Sequence, residues 1–501
     1  MNQKKIGAVL AYSNIFLKNA SLFVYTPLLL NYLGQTEYGI YQMVNSLISN
    51  LTIMNMGFSF AYVKFFTRES HKKHSYKAVE KLNGLYIMLF TFISLLTLMI
   101  GFLLILNRRW LFSASLKDNE MNLVAQLMGI LVVNIVITFF SSIFDANILV
   151  HEEFVFQQIR QLGQTILFPL ITIPSLIFFN AGALIVVLIQ TTLSFILLMT
   201  NVKFCIKKLH MRFCFKQLDV SMLKEITIFS FFIFLNQIFN QINDTAPTFI
   251  IGTMKGAKQV AIYSIVNQLK AVFFLLSQTL TNIFIPKVNR IVHQTDNSKE
   301  LLQLMIKIGR IQALILGIFV GGFITVGKYF LTWWIGPNFE ASYYLLVSII
   351  IPLLIPLSQN IGLEIQQARN KHMFRSIVLT FFSVLNILIT IIMVSKFDVY
   401  GLTVGYIFSL IFGYGIIMNW YYHKKLKLNM ITFWKYYLPY LIPCLVATIS
   451  CNKLFNFPVD NTESFVMMGS LYILIYVVMV IIVQPNIAKI ILKRGRINGK
   501  S

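Results

Sequence analysis

About fourteen stretches of this chain are long and apolar enough to cross a bilayer, and Lys and Arg gather on alternate connections between them. A helix rising 1.5 Å per residue needs about 20 mostly apolar residues to cross ~30 Å of hydrocarbon. Inside that hydrocarbon every backbone polar group must be satisfied within the segment, which leaves helices or closed barrels. The stretches lie at 8–33, 40–65, 84–106, 122–150, 161–179, 183–202, 226–251, 259–285, 311–331, 343–366, 376–395, 401–421, 436–453 and 464–484. They predict an all-α polytopic membrane protein. Only 12% of the residues are charged, against about 25% in soluble domains, so no segment is both long and polar enough to form a separate water-soluble domain.

The charge pattern predicts the orientation. With both termini cytoplasmic, the inner segments hold 31 Lys and Arg, the outer connections 7, and four fall within spans. Basic residues are retained on the cytoplasmic side during insertion. The net charge of +24 is therefore read as many short basic loops facing anionic lipid headgroups, and not as a face for nucleic acid. All seven His fall on the inner connections, His71 and His74 among them. Lys4 and Lys5 precede an apolar run too long for a cleaved signal peptide, which is read as a retained first span. Cys205, Cys214, Cys444 and Cys451 make no metal spacing and no convincing disulfide set.

The chain repeats itself. Ile40-Tyr41-Gln42-Met43-Val44-Asn45-Ser46-Leu47 returns 222 residues later as Ile262-Tyr263-Ser264-Ile265-Val266-Asn267-Gln268-Leu269, each copy following a Pro in the preceding span, Pro27 or Pro247. Six spans separate the copies, an even number, so both halves have the same sense in the membrane, a parallel-repeat plan known among transporters. The expected architecture is two pseudo-repeated six-helix lobes plus two C-terminal helices. Residues 1–203 form the first lobe, 204–225 a basic cytoplasmic linker, 226–422 the second lobe, and 423–501 helices 13 and 14 with a basic tail.

Polar residues concentrate in the first two spans of each half. Lys18 and Lys270 stand near mid-span, where a charge is costly and usually faces a cavity or a partner. Asn14, Lys18, Ser21 and Tyr25 share a helical stripe, as do Asn267, Lys270, Ser277 and Thr281. Asn45, Asn240 and Gln241 add to this polar set, which suggests a hydrated central cavity. The alternative is that the amides glue helices together. Three carboxylates lie within spans: Asp145, Asp244 and Glu364. They are candidates for H⁺ or Na⁺ coupling, and equally for pairing with a base or capping a helix end. Gly322-x4-Gly327-Lys328 mimics a P-loop but lacks the Ser or Thr and lies at the outer end of a span. Gly317/Gly321 and Gly401/Gly405 read as helix contacts. No HExxH, GxSxG or paired-carboxylate site is present, and the longest outer connection is only about fifteen residues, which argues against a membrane-embedded glycosyltransferase or polymerase.

Residues 27–41 include Leu33-Gly34-Gln35-Thr36-Glu37-Tyr38-Gly39-Ile40-Tyr41. This resembles the Leu-Gly-x-x-Glu-Tyr-Gly-x-Tyr turn that opens bacterial polysaccharide-unit flippases (the O-antigen, Wzx-type family) of the multidrug/oligosaccharidyl-lipid/polysaccharide exporter superfamily. Met56-Gly57 and Phe65-Phe66-Thr67-Arg68 continue the pattern. The resemblance implies movement of an undecaprenyl-pyrophosphate-linked oligosaccharide from the inner to the outer leaflet of the bacterial inner membrane, for O-antigen or capsule synthesis. It implies no enzyme activity and no cofactor, with an H⁺ or Na⁺ gradient as a candidate driving force. The implied partners are the lipid-linked oligosaccharide, membrane lipids, and the glycosyltransferases and polymerase that make and extend the glycan. Lys18 and Lys270 would meet the diphosphate, and Asn14, Asn45, Asn240, Gln241 and Asn267 the sugar hydroxyls. A lipid II flippase or a multidrug extruder of the same fold remains the alternative. The first should carry more Arg in the first two spans, and the second carboxylates in place of Lys.

Overall fold

A computed structural model describes residues 3–55, 57–70, 75–113, 115–179, 182–216, 220–369, 371, 373–455 and 459–483. His71, His74 and the basic tail beyond 483 lie outside the described residues. The described chain is helical, as hydrocarbon requires. Among the described residues nine stretches, from Tyr76–Leu106 to Thr462–Val483, are long and apolar enough to cross a membrane. The stretch Met373–Lys424 holds two of the fourteen expected spans, because a 3-10 turn at Asp398–Tyr400 breaks it. Among the described residues Pro occurs inside five long helices, which neighbouring helices make tolerable in a bilayer.

Two compact units divide between Ala261 and Ile262. The first contains α1 (Gln3–Ser49), α2 (Phe58–Ser70), α3 (Ser75–Leu106), the short α4 (Arg108–Phe112), α5 (Asp118–Val150), α6 (Phe154–Phe179), α7 (Gly182–Lys207) and α8 (Val220–Lys255). The boundary by contact thus falls one long helix after the boundary expected from the duplication. Polar bonds attach α8 to this unit: the Thr245 hydroxyl donates to Asn50 Oδ1 at 2.6 Å, and Ser46 donates to the Thr245 carbonyl at 3.1 Å. The core stacks Tyr62, Tyr86 and Phe90 edge-on or tilted, with Tyr62 and Tyr86 centroids 5.0 Å apart.

The second unit begins within α9 (Ala257–Gln294) and continues through α10 (Ser298–Ile335), α11 (Glu340–Ser358), α12 (Asn360–Ala368), α13 (Met373–Phe397), α14 (Gly401–Phe408) and α15 (Asn419–Lys424). A π-helical stretch, Ser409–Met418, joins the last two. The broken helix α16–α17 (Met430–Tyr437, Ile442–Ile449) and the final α18 (Thr462–Val483) supply helices 13 and 14. These two are seated on α10. Tyr472 and Tyr476 donate to the carbonyls of Gly317 and Leu314 at 2.7 and 2.6 Å. A Cβ at Gly321 would collide with the Tyr472 hydroxyl, so the Gly317/Gly321 pair is the helix contact that its spacing predicts. Gly401 and Gly405 likewise face α13, at Met393–Val394 and at Asn386 and Thr390.

The duplication reaches the backbone. Gly34 breaks α1 at φ +70°, and its counterpart 222 residues on, Gly256, stands at φ +87° between α8 and α9. Only Gly adopts such angles without strain. After each break the repeated positions are buried alike, with Met43, Val44, Ile265 and Val266 all at 0% exposure. A second repeated element closes α7 and α15. Lys207-Lys208-Leu209-His210-Met211 and Lys424-Lys425-Leu426-Lys427-Leu428 leave their helices through the same bonds. Met211 and Leu428 N–H groups reach the carbonyls of Cys205 and Tyr422, while His210 and Lys427 take φ +51° and +55°.

Candidate functional site

The family-like turn at 33–41 acts as a joint. Gly34 lets the chain turn, and three residues later Glu37 accepts the backbone N–H of Ala183 at 2.6 Å. It thereby caps α7, whose first amides have no partner in the helix and attract negative charge. Two residues on, Gly39 lies so close to the Ala257 carbonyl that any Cβ would collide with it. One short motif thus ties α1 to the start of α7 and to the start of α9.

Lys18 is exposed on α1. Asn14, one turn earlier, is half-buried and bonded to α6: its Nδ2 donates to Gln161 Oε1 at 3.2 Å and its Oδ1 accepts from Thr165 at 3.1 Å. Tyr25, on the same stripe, packs edge-on against Phe168 at 5.4 Å. The stripe is therefore mostly a seam between α1 and α6, with Lys18 at its margin. Asn45 is half-buried on α1. Gln241 reaches Ser49 at 3.5 Å, and its carbonyl accepts from Thr245 at 2.8 Å. The side chains of Asn240 and Asp244 lie outside the described residues.

Asp145 has a partner, Arg160, which the predicted spans leave on the connection between 150 and 161. Arg160 at the start of α6 reaches its carboxylate at 2.6 Å, with side-chain exposures of 9% for the Arg and 32% for the Asp. Asn201 of α7 donates to the same carboxylate at 3.1 Å and to Ser141 at 2.9 Å, and Ser141 donates to Asp145 at 3.3 Å. Three helices, α5, α6 and α7, are clasped by this cluster. No sequence spacing announces it, because its members come from three helices.

In the second unit Lys270 is half-buried on α9 with its Nζ 5.1 Å from the Tyr406 ring centroid, a cation–π contact. Asn267 is half-buried one turn before it, and Glu364 half-buried on α12. Ser277 and Thr281, predicted to share a polar stripe with Lys270, are buried and engaged by Gln312 Nε2 at 2.9 and 3.1 Å, and Asn360 adds a bond to Ser277 at 2.9 Å. The C-terminal part of that stripe therefore holds α9, α10 and α12 together. Among the described residues no group of three His, Cys, Asp or Glu can hold a metal.

The family described as "Polysaccharide biosynthesis protein" matches residues 7–286. No curated protein matches the chain in sequence. Among solved structures, a lipid II flippase, MurJ, in an inward closed conformation superposes with a TM-score of 0.75 over 96% of this chain and 99% of that one, at 13% identity. An inward-facing multidrug resistance MATE family transporter of the MOP superfamily gives a TM-score of 0.63 at 14% identity over 84% of this chain and 95% of that one. An outward-facing transporter of the same kind gives 0.55 at 12% identity, over 87% and 97%. These likenesses establish the fold: an all-helical, multi-pass membrane architecture shared by flippases and drug transporters.

Proposed function

Because the chain belongs to the family of polysaccharide biosynthesis proteins, we propose that it is a flippase, moving undecaprenyl-pyrophosphate-linked oligosaccharide units from the cytoplasmic to the outer leaflet of the bacterial inner membrane. The family match over more than half of the chain carries the reading, and a fold of the flippase and transporter kind supports it. The physical task is to bring a diphosphate and its sugars across hydrocarbon, where an unpaired charge or unbonded hydroxyl is strongly disfavoured. Lys18 in the first unit and Lys270 in the second each provide a cation for the diphosphate during that passage. Asn45, Asn240, Gln241 and Asn267 provide amide donors and acceptors for hydroxyls, and Asn14 joins them when its seam with α6 opens. The prenyl tail stays in lipid. The movement is alternating access about a mid-membrane site, with both termini cytoplasmic and an H⁺ or Na⁺ gradient as driving force. Asp244 and Glu364 are the carboxylates proposed for coupling, and Asp145 would join them only if its pairing with Arg160 breaks during the cycle.

Extrusion of cationic drugs is the second reading; it would rest on Asp244 and Glu364, since Asp145 is engaged by Arg160. The decisive experiment is deletion of the gene. Lipid-linked repeat units should accumulate in the inner membrane while surface polysaccharide disappears, both restored by a plasmid copy. Normal surface polysaccharide with lost drug tolerance would point instead to an extruder.

A further inference from the structure

At the end of the first unit where α2 stops and α3 begins, a cavity of about 600 Å³ opens. That size is within the range of about 300–1,000 Å³ typical of small-ligand sites. Its walls come from α2, α3, α5 and the segment that follows α7. That segment is not a free linker. The Cys214 N–H bonds the Glu80 carbonyl at 2.9 Å, Asn83 Nδ2 donates to the Arg212 carbonyl at 2.9 Å, and Phe213 packs on Phe144. The wall is therefore built, and its deepest members are amides: Asn83 and Asn147, each 1% exposed. Tyr62 fixes both, accepting from Asn147 at 2.7 Å and donating to Asn83 at 2.8 Å. Asn147 Oδ1 is nonetheless left without a hydrogen-bond partner. A buried acceptor without a protein partner is open to a donor from a bound molecule.

The lining chemistry selects the ligand class. Around the amides stand Glu80, His151, His210 and Arg212, and the ring of Tyr76, 85% exposed at the rim. Among the described lining residues one Arg stands beside one carboxylate, so a diphosphate would meet repulsion from Glu80 as well as attraction from Arg212. Neutral hydroxyls suit this set: carboxylate and amide oxygens accept from them, amide, guanidinium and imidazole N–H groups donate to them, and imidazole can do so in either protonation state. An open aromatic face suits the C–H face of a pyranose ring. Resting on the flippase reading above, we infer that this cavity binds sugar rings of the cytoplasmic oligosaccharide and reads their identity before crossing, apart from the cations that meet the diphosphate.

The test uses full-length protein in nanodiscs and, as probe, the free oligosaccharide released by mild acid from the host cell's lipid-linked pool, with neither prenyl chain nor diphosphate. Saturation-transfer NMR and calorimetry should show saturable binding, weakened about tenfold or more by Glu80→Gln or Tyr76→Ala, largely kept by Tyr76→Phe, and undisturbed by excess inorganic pyrophosphate. Equal binding by all variants, displacement by pyrophosphate, or no binding at all would overturn the inference. The deletion experiment reads transport as a whole, so failure of the binding experiment beside the expected deletion phenotype would reject the cavity alone.

Discussion

Replacing Arg160 by Ala should be among the most damaging single changes in the first unit, although the residue sits where a loop charge was expected. Arg160 is nearly buried, and its guanidinium lies 2.6 Å from Asp145. Removing it leaves a carboxylate held only by Asn201 and Ser141. Breaking a buried pair from one side costs about 3–5 kcal/mol. Asp145 keeps about a third of its side chain exposed, which lowers the expectation to about 2–3 kcal/mol. For a unit of this size 1 kcal/mol moves the thermal midpoint by about 2–4 °C, so the loss should be about 4–12 °C. Removing the charge on both sides, with Asp145→Asn and Arg160→Gln together, should recover at least half of it, since no uncompensated charge remains. The assay is thermal unfolding of detergent-purified protein at one scan rate, because such unfolding is often irreversible. A shift below about 1 °C for Arg160→Ala, or a double variant as poor as the sum of the singles, would refute the clasp. If transport by Asp145→Asn also keeps its dependence on the ion gradient, Asp145 is a positioning residue and does not couple.

Glu37→Ala removes the cap on α7 and should cost about 1–2 kcal/mol, lowering the amount of folded protein in the membrane, whereas Glu37→Gln, which still offers an oxygen to the Ala183 N–H, should lose less; equal levels for both would dismiss the cap. Gly321→Leu places a side chain where the Tyr472 hydroxyl lies and should detach α18 from α10, seen as new protease cleavage between 450 and 483 in purified protein. Single-Cys labelling in intact cells should mark position 36 from outside and position 210 only after permeabilisation; the reverse pattern would invert the topology.

What the sequence discloses here follows the range of the interactions. The fourteen spans are legible because burial in hydrocarbon acts on each segment by itself. The first repeat is legible because Gly34 and Gly256 begin the same local turn, and the burial of the residues after it recurs position by position. The second repeated element is present in the sequence too, as Lys-Lys-Leu at 207–209 and 424–426, but its offset is 217 rather than 222, so it falls out of step with the first repeat. Long-range polar partners were not legible. Glu37 finds its partner at Ala183 and Asp145 finds Arg160 and Asn201, and nothing in spacing pairs residues on separate helices. Asn14 shows the same limit, since a polar stripe looks alike whether it lines a cavity or seals α1 against α6. The segment after α7 reads as a linker by charge, yet the buried Met211 and the backbone bond from Cys214 make it part of the first unit.

If the protein moves an anionic, lipid-linked glycan, the sign of the charge at Lys18 and Lys270 governs the rate. Lectin accessibility of the lipid-linked glycan should be followed in spheroplasts of a deletion strain that carries each variant at matched membrane level. Lys18→Ala and Lys270→Ala should slow appearance of the glycan on the outer leaflet. Lys→Glu should be worse at both positions, because attraction to the diphosphate becomes repulsion in a partly desolvated setting, and Lys→Arg should retain part of the activity. Outer-leaflet glycan at the wild-type rate with both Lys→Glu changes present would mean that neither Lys meets the diphosphate.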